Sequence, residues 1–283
     1  MKVIRTIKEY KSILQTLDRN CSIGFVPTMG CLHKGHLSLV ELVRHCQVVV
    51  VSIFVNSAQF ASNEDFDKYP NTIDSDIQKL EAQGIATILF VPSQKELRID
   101  FAADRPSGTM IDNYSNIRNL LESAYRPFFF RGVMTVVMKL IHIVCPTVIV
   151  FGQKDAQQCA YIRHMIDDLN IDCEMLIGEL HREDNGLAMS SRNELLKKNE
   201  KEQAAKIFAS LCKLKKLFLE GEKRSSYLKN VLKSELAEFN VQYVSIASID
   251  TLEELDHVTD KALVSLAVFI RDVRLIDNIV IGE

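Results

Sequence analysis

The sequence predicts an α/β protein: a Rossmann-like, doubly wound parallel sheet followed by a smaller mixed α+β C-terminal domain. Up to about residue 178, short β-branched runs alternate with longer segments of helical period, which is the pattern of parallel strands joined by crossover helices. Runs such as Val48 to Val51 are apolar without interruption, as expected of a strand covered on both faces. We therefore assign residues 1–178 to the first domain and residues 179–283 to the second.

The predicted elements of the first domain alternate in the order that such a sheet requires. Its strands are Ser22 to Val26, Val48 to Val55, Thr87 to Val91, Thr147 to Phe151 and Ile171 to Ile177. Its helices are Leu37 to Arg44, Ile73 to Gln83, Val133 to Val144 and Gln157 to Leu169. Ligands of doubly wound sheets bind beyond the carboxyl ends of the strands, so we expect a site in the loops that follow them.

The composition changes after Arg192. The segment from Asn193 to Glu220 is rich in Lys and Glu and has apolar residues at helical spacing, which predicts a helix. Two predicted strands follow, Val241 to Ile249 and Leu263 to Ile270, with a capping-box pattern at Thr251 to Glu254 that is typical of a helix start.

Charge and cysteine content exclude several classes of protein. The 34 Lys and Arg residues nearly balance the 37 Asp and Glu residues, and no basic block is present, which argues against a nucleic-acid partner. The seven cysteines include no C-x-x-C pair and predict free thiols in a reducing compartment. Neither an export signal nor a membrane span is evident, so we expect a cytoplasmic protein without a membrane partner.

The first predicted strand runs into a turn, Thr28 to His36, that leads directly to a helix. Such a turn offers unpaired backbone N–H groups and the positive end of a helix dipole to an anion, and His33 and His36 add donors. A P-loop is excluded because Lys and Ser or Thr do not follow Gly35, and no dinucleotide fingerprint is present. A zinc site built on Cys31 and the two histidines lacks a fourth ligand. Taken alone, the histidines are equally compatible with plain helix capping.

Two further loops carry polar residues where the sheet predicts a site. Gly152 to Asp155 follows a predicted strand and places a Lys and an Asp at the start of a helix. Gly186 to Arg192 is a small-residue loop with two hydroxyls and a guanidinium, which suit the outer phosphates of a nucleotide. Each loop alone is a weak signal, because solvated turns have the same composition.

Together, these stretches resemble the pantothenate synthetase (pantoate–β-alanine ligase) family of the HxGH adenylating nucleotidyltransferases. The resemblance covers nearly the whole chain. The stretches that carry it are VPTMG and LHKGHLSLV (Val26 to Val40), VVVSIFVN with QF and NEDFDKYP (Val49 to Pro70), RGV with TVVMKL (Arg131 to Leu140), FGQKDAQQ (Phe151 to Gln158), NGLAMSSRN (Asn185 to Asn193) and RLIDN (Arg274 to Asn278).

The resemblance implies an ATP-dependent, Mg²⁺-requiring ligase that condenses pantoate with β-alanine through pantoyl adenylate, releasing pyrophosphate and then AMP. It also implies a homodimer, with residues 1–178 binding nucleotide and pantoate and residues 179–283 forming a lid. Gln59 and Gln158 would bind pantoate, while His36, His33 and Lys154 would be catalytic. The ATP-binding residues would be Met29, Gly30, Cys31, Leu32, His33, Lys34, Gly35, His36, Gly152, Gln153, Lys154, Asp155, His181, Met189, Ser190, Ser191 and Arg192. No metal ligand is assigned.

These implied roles agree with the chemistry of the reaction. Bringing two anions together requires a positive field, which we expect from Lys154, His33, His36, Arg192 and the metal ion. The amides of Gln59 and Gln158 can both donate and accept, which suits a hydroxy acid.

The chain also departs from the family pattern. Phe128 and Phe129 stand where the family has a glycine and a histidine, and with Phe130 they could reshape the pocket or simply be core. Gln153 replaces a usual Glu. Two alternatives therefore stay open: an adenylating ligase for a different acid or amine, and an ATP-binding protein without turnover.

Overall fold

A six-stranded parallel sheet forms the centre of the larger part of the molecule. The computed structural model describes residues 1–114, 117 and 120–282. In spatial order the strands are Lys2–Ile4 (β1), Ile88–Phe90 (β4), Val48–Ile53 (β3), Ile23–Thr28 (β2), Val148–Gly152 (β5) and Glu174–Gly178 (β6). All neighbouring pairs are parallel, so the predicted α/β sheet is confirmed.

Helices connect and cover these strands. They are Ile7–Leu14 (α1), Lys34–Leu42 (α2), Ile73–Gln83 (α3), Gln94–Leu97 (α4), Glu122–Tyr125 (α5), Phe129–Val144 (α6) and Ala156–Asp168 (α7). Short 3-10 turns lie at Ser57–Gln59, Phe66–Lys68, Gln153–Asp155 and Ser191–Leu195. Helix α6 is buried along most of its length between the sheet and its neighbours, which explains its almost uninterrupted apolar sequence.

The strand order places two loops side by side. From β2 the chain first builds β3 and β4 on one side of the sheet and later returns to add β5 and β6 on the other. Strands β2 and β5 are therefore adjacent at the point where the order reverses, with Gly24 opposite Val148. A crevice opens at the carboxyl ends of two such strands. Here those ends are Thr28 and Gly152, which precede two of the loops singled out in the sequence.

The C-terminal part is a three-stranded antiparallel sheet covered by two helices. Its elements are Lys198–Leu219 (α8), Ser225–Glu235 (α9), Asn240–Ala247 (β7), Ala262–Ile270 (β8) and Val273–Ile281 (β9). Apolar side chains of α8 and α9, such as Leu211 and Leu228, pack against Val264 and Leu275 of the sheet. The mixed α+β character is as predicted, while the boundary at 178/179 stays a prediction and Glu283 lies outside the described residues.

The structure corrects several expectations about elements. Strand β1 and helix α1 were not predicted, so β2 is the second strand of the chain and not the first. Helix α9 and strand β9 were also missed. No helix begins at Thr251 to Glu254: the segment is a turn in which Leu252 has φ +55° and the Thr251 hydroxyl accepts from the Glu253 N–H at 3.4 Å. Thr hydroxyls favour such turns for the same reason that they cap helices.

Two global expectations can be compared with the structure. All seven cysteines are among the described residues and all are free thiols, as predicted. Within residues 1–114, 117 and 120–282, no helix combines the length and apolar character that crossing a membrane requires.

Candidate active site

A cleft of about 600 Å³ lies beyond the carboxyl ends of β2 and β5 and is closed on one side by the C-terminal sheet. Most of the residues singled out in the sequence line it, namely Met29, His33, Gly35, His36, Gln59, Gly152, Lys154, Asp155, Gln158, His181, Met189, Ser190, Ser191 and Arg192. Five do not line it: Gly30, Cys31, Leu32, Lys34 and Gln153. The structure thus brings the three predicted loops and both glutamines to one place.

Hydrogen bonds to Asp76 of α3 hold the turn after β2 in place. This carboxylate is fully buried and accepts from the N–H groups of Cys31 at 2.9 Å and Leu32 at 2.7 Å. Gly30 has φ +84°, and a Cβ there would meet Asp76 at 3.2 Å, so glycine suits both the conformation and the space. The expectation that the N–H groups of the turn are unpaired is wrong for Cys31 and Leu32. These two N–H groups already donate to the buried carboxylate of Asp76.

His33 and His36 lie at the start of α2, with ring centroids 4.0 Å apart. The backbone N–H of His33 donates to Nδ1 of His36 at 3.3 Å. Because Nδ1 of His36 is an acceptor, a neutral ring carries its proton on Nε2 and can donate it to a ligand. The neighbouring Gly35 leaves room for this arrangement, since a Cβ there would meet the His33 ring at 3.1 Å.

Both histidines are neutral at physiological pH in this environment. Burial, and then the nearby Lys154, lowers the pKa of His33 to about 4. Burial, His33 and Lys154 also hold the pKa of His36 well below its ordinary value. The expectation that these rings add positive charge is therefore corrected: they contribute N–H dipoles, while Lys154 and Arg192 carry the positive charge.

Lys154 sits in the 3-10 turn Gln153–Asp155, between β5 and α7. Its Nζ lies 3.5 Å from a carboxylate oxygen of Asp155 at the edge of the cleft. Gln153 does not line the cleft, and its side chain donates to Oδ1 of Asn278 in β9 at 3.0 Å. The predicted contact of Gln153 with ATP is thus not supported for its side chain, because that amide is already bonded to β9.

The loop from His181 to Arg192 contributes both of its ends to the wall of the cleft. Ser191 donates to the carbonyl oxygen of Cys31 at 3.2 Å and so ties the loop to the turn after β2. Arg192 donates through Nε to Asp65 at 2.9 Å and through Nη2 to the same carboxylate at 3.3 Å. Burial lowers the pKa of Arg192, but the pairing with Asp65 outweighs burial and raises this pKa above its already high value. Sequence reasoning missed Asp65, which is the resting partner of the guanidinium.

Gln59 marks the other end of the cleft, in the turn Ser57–Gln59. Its Oε1 accepts from Nδ2 of Asn56 at 3.0 Å, which fixes the orientation of the amide. Helix α6 packs so tightly on this turn that a Cβ on Gly132 would lie 1.9 Å from the carbonyl oxygen of Ala58. Gln158, in the first turns of α7, lines the same region.

The three consecutive phenylalanines have three different environments. Phe128 is 39% exposed, and the Arg131 guanidinium lies 4.9 Å from its ring centroid. Phe130 is buried and stacks on Tyr161 with centroids 3.9 Å apart. Phe129 contributes its side chain to the cleft wall beneath Arg126, whose guanidinium lies 4.0 Å from the Phe129 centroid. Both earlier interpretations therefore hold in part: Phe129 and Phe130 line the cleft, and Phe130 also belongs to the core.

A polar cluster at the same end of the cleft was not predicted as functional. It consists of Glu122, Arg126, Gln157, Tyr243 and Arg274, which all line the cleft. Arg126 and Arg274 belong to stretches that were compared with the family pattern, but neither stretch indicated a role. Their common feature, contact with one buried carboxylate, depends on residues 152 positions apart in the chain and has no local sequence signal.

Among residues 1–114, 117 and 120–282, no group of three or more His, Cys, Asp or Glu side chains is arranged to hold a metal ion.

The chain is similar to known proteins over its full length. Residues 2–280 match the family model of pantoate-beta-alanine ligase. Pantothenate synthetase of Thermoanaerobacter sp. (strain X514) is 46% identical over 92% of this chain and 91% of its own, and that of Fervidobacterium nodosum is 41% identical over 100% of both. The crystal structure of pantothenate synthetase from Thermus thermophilus is similar with a TM-score of 0.91 and 33% identity, covering 99% of each chain.

A second structure is similar and contains ligands. It is pantoate-beta-alanine ligase from Francisella tularensis complexed with beta-gamma ATP and beta-alanine, with a TM-score of 0.80 and 34% identity, covering 99% of this chain and 97% of its own. The family match from residue 2 to residue 280 and the full-length relatives show that the chain belongs to the pantoate–β-alanine ligase family.

Proposed function

We propose that this protein condenses pantoate with β-alanine at the expense of ATP, through a pantoyl-adenylate intermediate. The observation that carries the proposal is the convergence of His36, Lys154 and Arg192 with Gln59 and Gln158 on one cleft. The cleft thereby combines donors for phosphates with neutral amides for a hydroxy acid. Membership of the ligase family and the ATP and β-alanine named in the Francisella tularensis complex support the same reaction.

The nucleotide half of the cleft supplies charge and directed donors. A carboxylate and an α-phosphate repel each other, so the protein must hold them in line and stabilise charge on the departing pyrophosphate. Lys154 and Arg192 provide positive charge, and the Nε2–H of neutral His36 provides a hydrogen bond at the N-terminus of α2. Arg192 must exchange at least part of its pairing with Asp65 for phosphate oxygens.

The acid half of the cleft suits the shape of pantoate. This acid has two hydroxyl groups and a carboxylate around a carbon that bears two methyl groups. Gln59 and Gln158 can bind the oxygens, since a primary amide both donates and accepts. The apolar wall that faces them suits the methyl groups, and it is built by Phe54, Phe129, Val133, Val137 and Leu140.

Two steps complete the reaction without a protein nucleophile. A carboxylate oxygen of pantoate attacks the α-phosphorus, the new O–P bond forms, and the bond to pyrophosphate breaks. The amine of β-alanine then attacks the acyl carbon, an amide C–N bond forms, AMP leaves with the C–O electron pair, and the amine loses a proton. Because both substrates are oriented in one cleft, positioning and electrostatics supply most of the acceleration.

A Mg²⁺ ion accompanying ATP fits the donor set at the cleft edge. Nucleotide-bound Mg²⁺ takes most of its ligands from phosphate oxygens and water, with one or two carboxylates from the protein. The carboxylate of Asp155 is 46% exposed beside Lys154 and would provide such an oxygen. When bound, the ion would neutralise phosphate charge.

We also propose that the protein works as a homodimer in the cytoplasm, with residues 179–283 acting as a lid. The family resemblance supports the dimer and the lid. The seven free thiols support a reducing compartment. Sedimentation analysis that gives the mass of a single chain at micromolar concentration would contradict the dimer.

Phe129 favours a second candidate, a ligase for a more apolar acid. Its ring stands at the cleft wall, and apolar contact rewards added methylene groups in a ligand. A screen of carboxylic acids by pyrophosphate release distinguishes the two, because a substrate with a higher kcat/KM than pantoate would replace it in the proposal. ATP binding without release for any acid would indicate a nucleotide-binding protein instead.

The test of the proposed function is AMP formation by the purified protein, with pantoate and β-alanine each omitted in turn. We expect sustained AMP formation only when both are present. Absence of AMP formation with the complete mixture contradicts the proposal.

A further inference from the structure

Strand β9 reaches both ends of the cleft from one face. Arg274 and Asn278 are four positions apart on this strand, so their side chains point to the same face roughly 13 Å apart. Both line the cleft and both are largely buried. This separation is large enough for each residue to contact a different substrate-binding segment.

Asn278 holds the turn that carries Lys154. Its Nδ2 donates to the carbonyl oxygens of Gln153 at 3.0 Å and of Lys154 at 2.9 Å. Its Oδ1 accepts from Nε2 of Gln153 at 3.0 Å. Two hydrogen bonds to backbone carbonyl oxygens and one to the Gln153 side chain therefore fix the turn from which the lysine extends. Buried amides of this kind define a conformation because an alternative would leave polar groups unpaired.

Arg274 holds the opposite end through Glu122. Its Nη1 and Nη2 donate to the two oxygens of this buried carboxylate at 2.8 and 2.7 Å, a two-pronged pairing. Glu122 also accepts from Nη1 of Arg126 at 3.3 Å. Nη2 of Arg126 in turn donates to the backbone carbonyl oxygen of Gln59 at 3.1 Å. Burial raises the pKa of Glu122, but the guanidinium groups of Arg274 and Arg126 outweigh this effect and hold that pKa below its usual value. The carboxylate therefore stays charged.

The turn that carries Gln158 is connected to the same residue, Glu122, through Gln157. The backbone N–H of Glu122 donates to Oε1 of Gln157 at 2.8 Å, and Nε2 of Gln157 donates to the Tyr243 hydroxyl at 3.0 Å. Gln157 is buried, and both the oxygen and the nitrogen of its side-chain amide are hydrogen-bonded. These bonds hold the first turn of α7 in place. Gln158 is the next residue along that turn.

We infer that β9 positions the two halves of the cleft separately: Asn278 sets Lys154 for the nucleotide, and Arg274, through Glu122, sets Gln59 and Gln158 for the acid. Neither residue is assigned contact with a reacting atom, so both are positioning residues. The identity of the acid rests on the proposed function. A role limited to stability would weaken the binding of both substrates together. This arrangement instead predicts that each residue affects the binding of one substrate and not of the other.

The test measures AMP formation while ATP and pantoate are varied independently. Asn278→Ala removes all three hydrogen bonds, and Arg274→Lys keeps the charge but loses the two-pronged pairing. We expect Asn278→Ala to raise the KM for ATP about tenfold and to leave the KM for pantoate within about twofold. Arg274→Lys should raise the KM for pantoate about tenfold and leave the KM for ATP within about twofold. Arg271→Lys is the matched control, because Arg271 lies between β8 and β9 and pairs with Glu200 outside the cleft.

The result that overturns the inference is a parallel change of both KM values in each variant, or no change in either. If Asn278→Ala or Arg274→Lys lacks a cooperative thermal transition, Gln153→Ala and Tyr243→Phe replace them. The first removes the side-chain amide of Gln153 and the second the hydroxyl of Tyr243, each from one of the two networks, and they should give the same separation with smaller factors. A wild type that forms no AMP contradicts the proposed function instead. ATP titration calorimetry then decides, with weaker binding expected for Asn278→Ala and unchanged binding for Arg274→Lys.

Discussion

Replacing Gly132 with alanine tests how the packing of α6 sets the acid half of the cleft. A Cβ at this position would lie 1.9 Å from the carbonyl oxygen of Ala58 and 2.8 Å from the backbone nitrogen of Gln59. Cβ atoms essentially never approach other heavy atoms within 3.0 Å, so helix and turn must separate by about 1 Å. The turn that moves is the one that carries Gln59.

Two opposing effects determine the size of the change. Alanine is preferred over glycine inside a helix by about 1 kcal/mol, while overpacking of this kind costs about 1–3 kcal/mol. The free energy of unfolding should therefore fall by no more than about 2 kcal/mol. A displacement of about 1 Å at a binding group can reduce a rate about 100-fold. We therefore expect a loss of about 100-fold in kcat/KM for pantoate, far more than the stability change implies.

The assay is steady-state AMP formation at saturating ATP and β-alanine, with unfolding in urea measured in parallel. Gly84→Ala is the control: it is the same substitution at a glycine with φ +71° and nothing within 4 Å of an added Cβ. Its strained conformation should cost about 1 kcal/mol of stability with no effect on AMP formation. A folded Gly132→Ala protein whose kcat/KM for pantoate stays within about threefold of the wild type would refute the reasoning.

Three other outcomes follow from the site. His36→Ala should lower the single-turnover rate of pyrophosphate release about 100-fold or more while the Kd for ATP changes little, and equal losses in both would instead indicate simple binding. Glu122→Gln should reduce the free energy of unfolding in urea by about 3–5 kcal/mol, because it leaves the buried guanidinium of Arg274 without its carboxylate, while Arg126 keeps its pairing with Glu64; a loss below about 1 kcal/mol would contradict this. Folding lowers the pKa of His33 from 6.5 to about 4, so its neutral ring contributes stability that is complete above about pH 6.5 and is lost as the pH falls through 4. His33→Asn should remove up to roughly 3 kcal/mol of that pH dependence. The free energy of unfolding in urea, measured at several pH values, would contradict this if it fell with pH as steeply in the variant as in the wild type.

The sequence predicted the parallel sheet well because its signals are local. Uninterrupted apolar runs indicated β3 and β5, and helix α3 has the predicted bounds of Ile73–Gln83. The missed α1 has a capping box between Thr6 and Glu9 that could have identified it. The same type of pattern at Thr251 to Glu254 was misleading, because a hydroxyl that can cap a helix can equally stabilise a turn.

The site was predictable only in its outline. The loops at His33, Lys154 and Arg192 follow strands or border the second sheet, and the strand order brings them together. What they contact could not be predicted. Asp76 holds the turn after β2 from 44 residues away, and Asp65 holds Arg192 from 127 residues away. The neutral state of the histidines likewise depends on burial, which exists only in the folded chain.

The central claim is that this cleft activates pantoate with ATP before the amine takes part. It is tested most directly by single-turnover release of pyrophosphate from ATP with pantoate present and β-alanine absent. We expect about one equivalent of pyrophosphate per chain and no free AMP until β-alanine is added. Release of ADP and phosphate, or no pyrophosphate until β-alanine is present, would contradict the account.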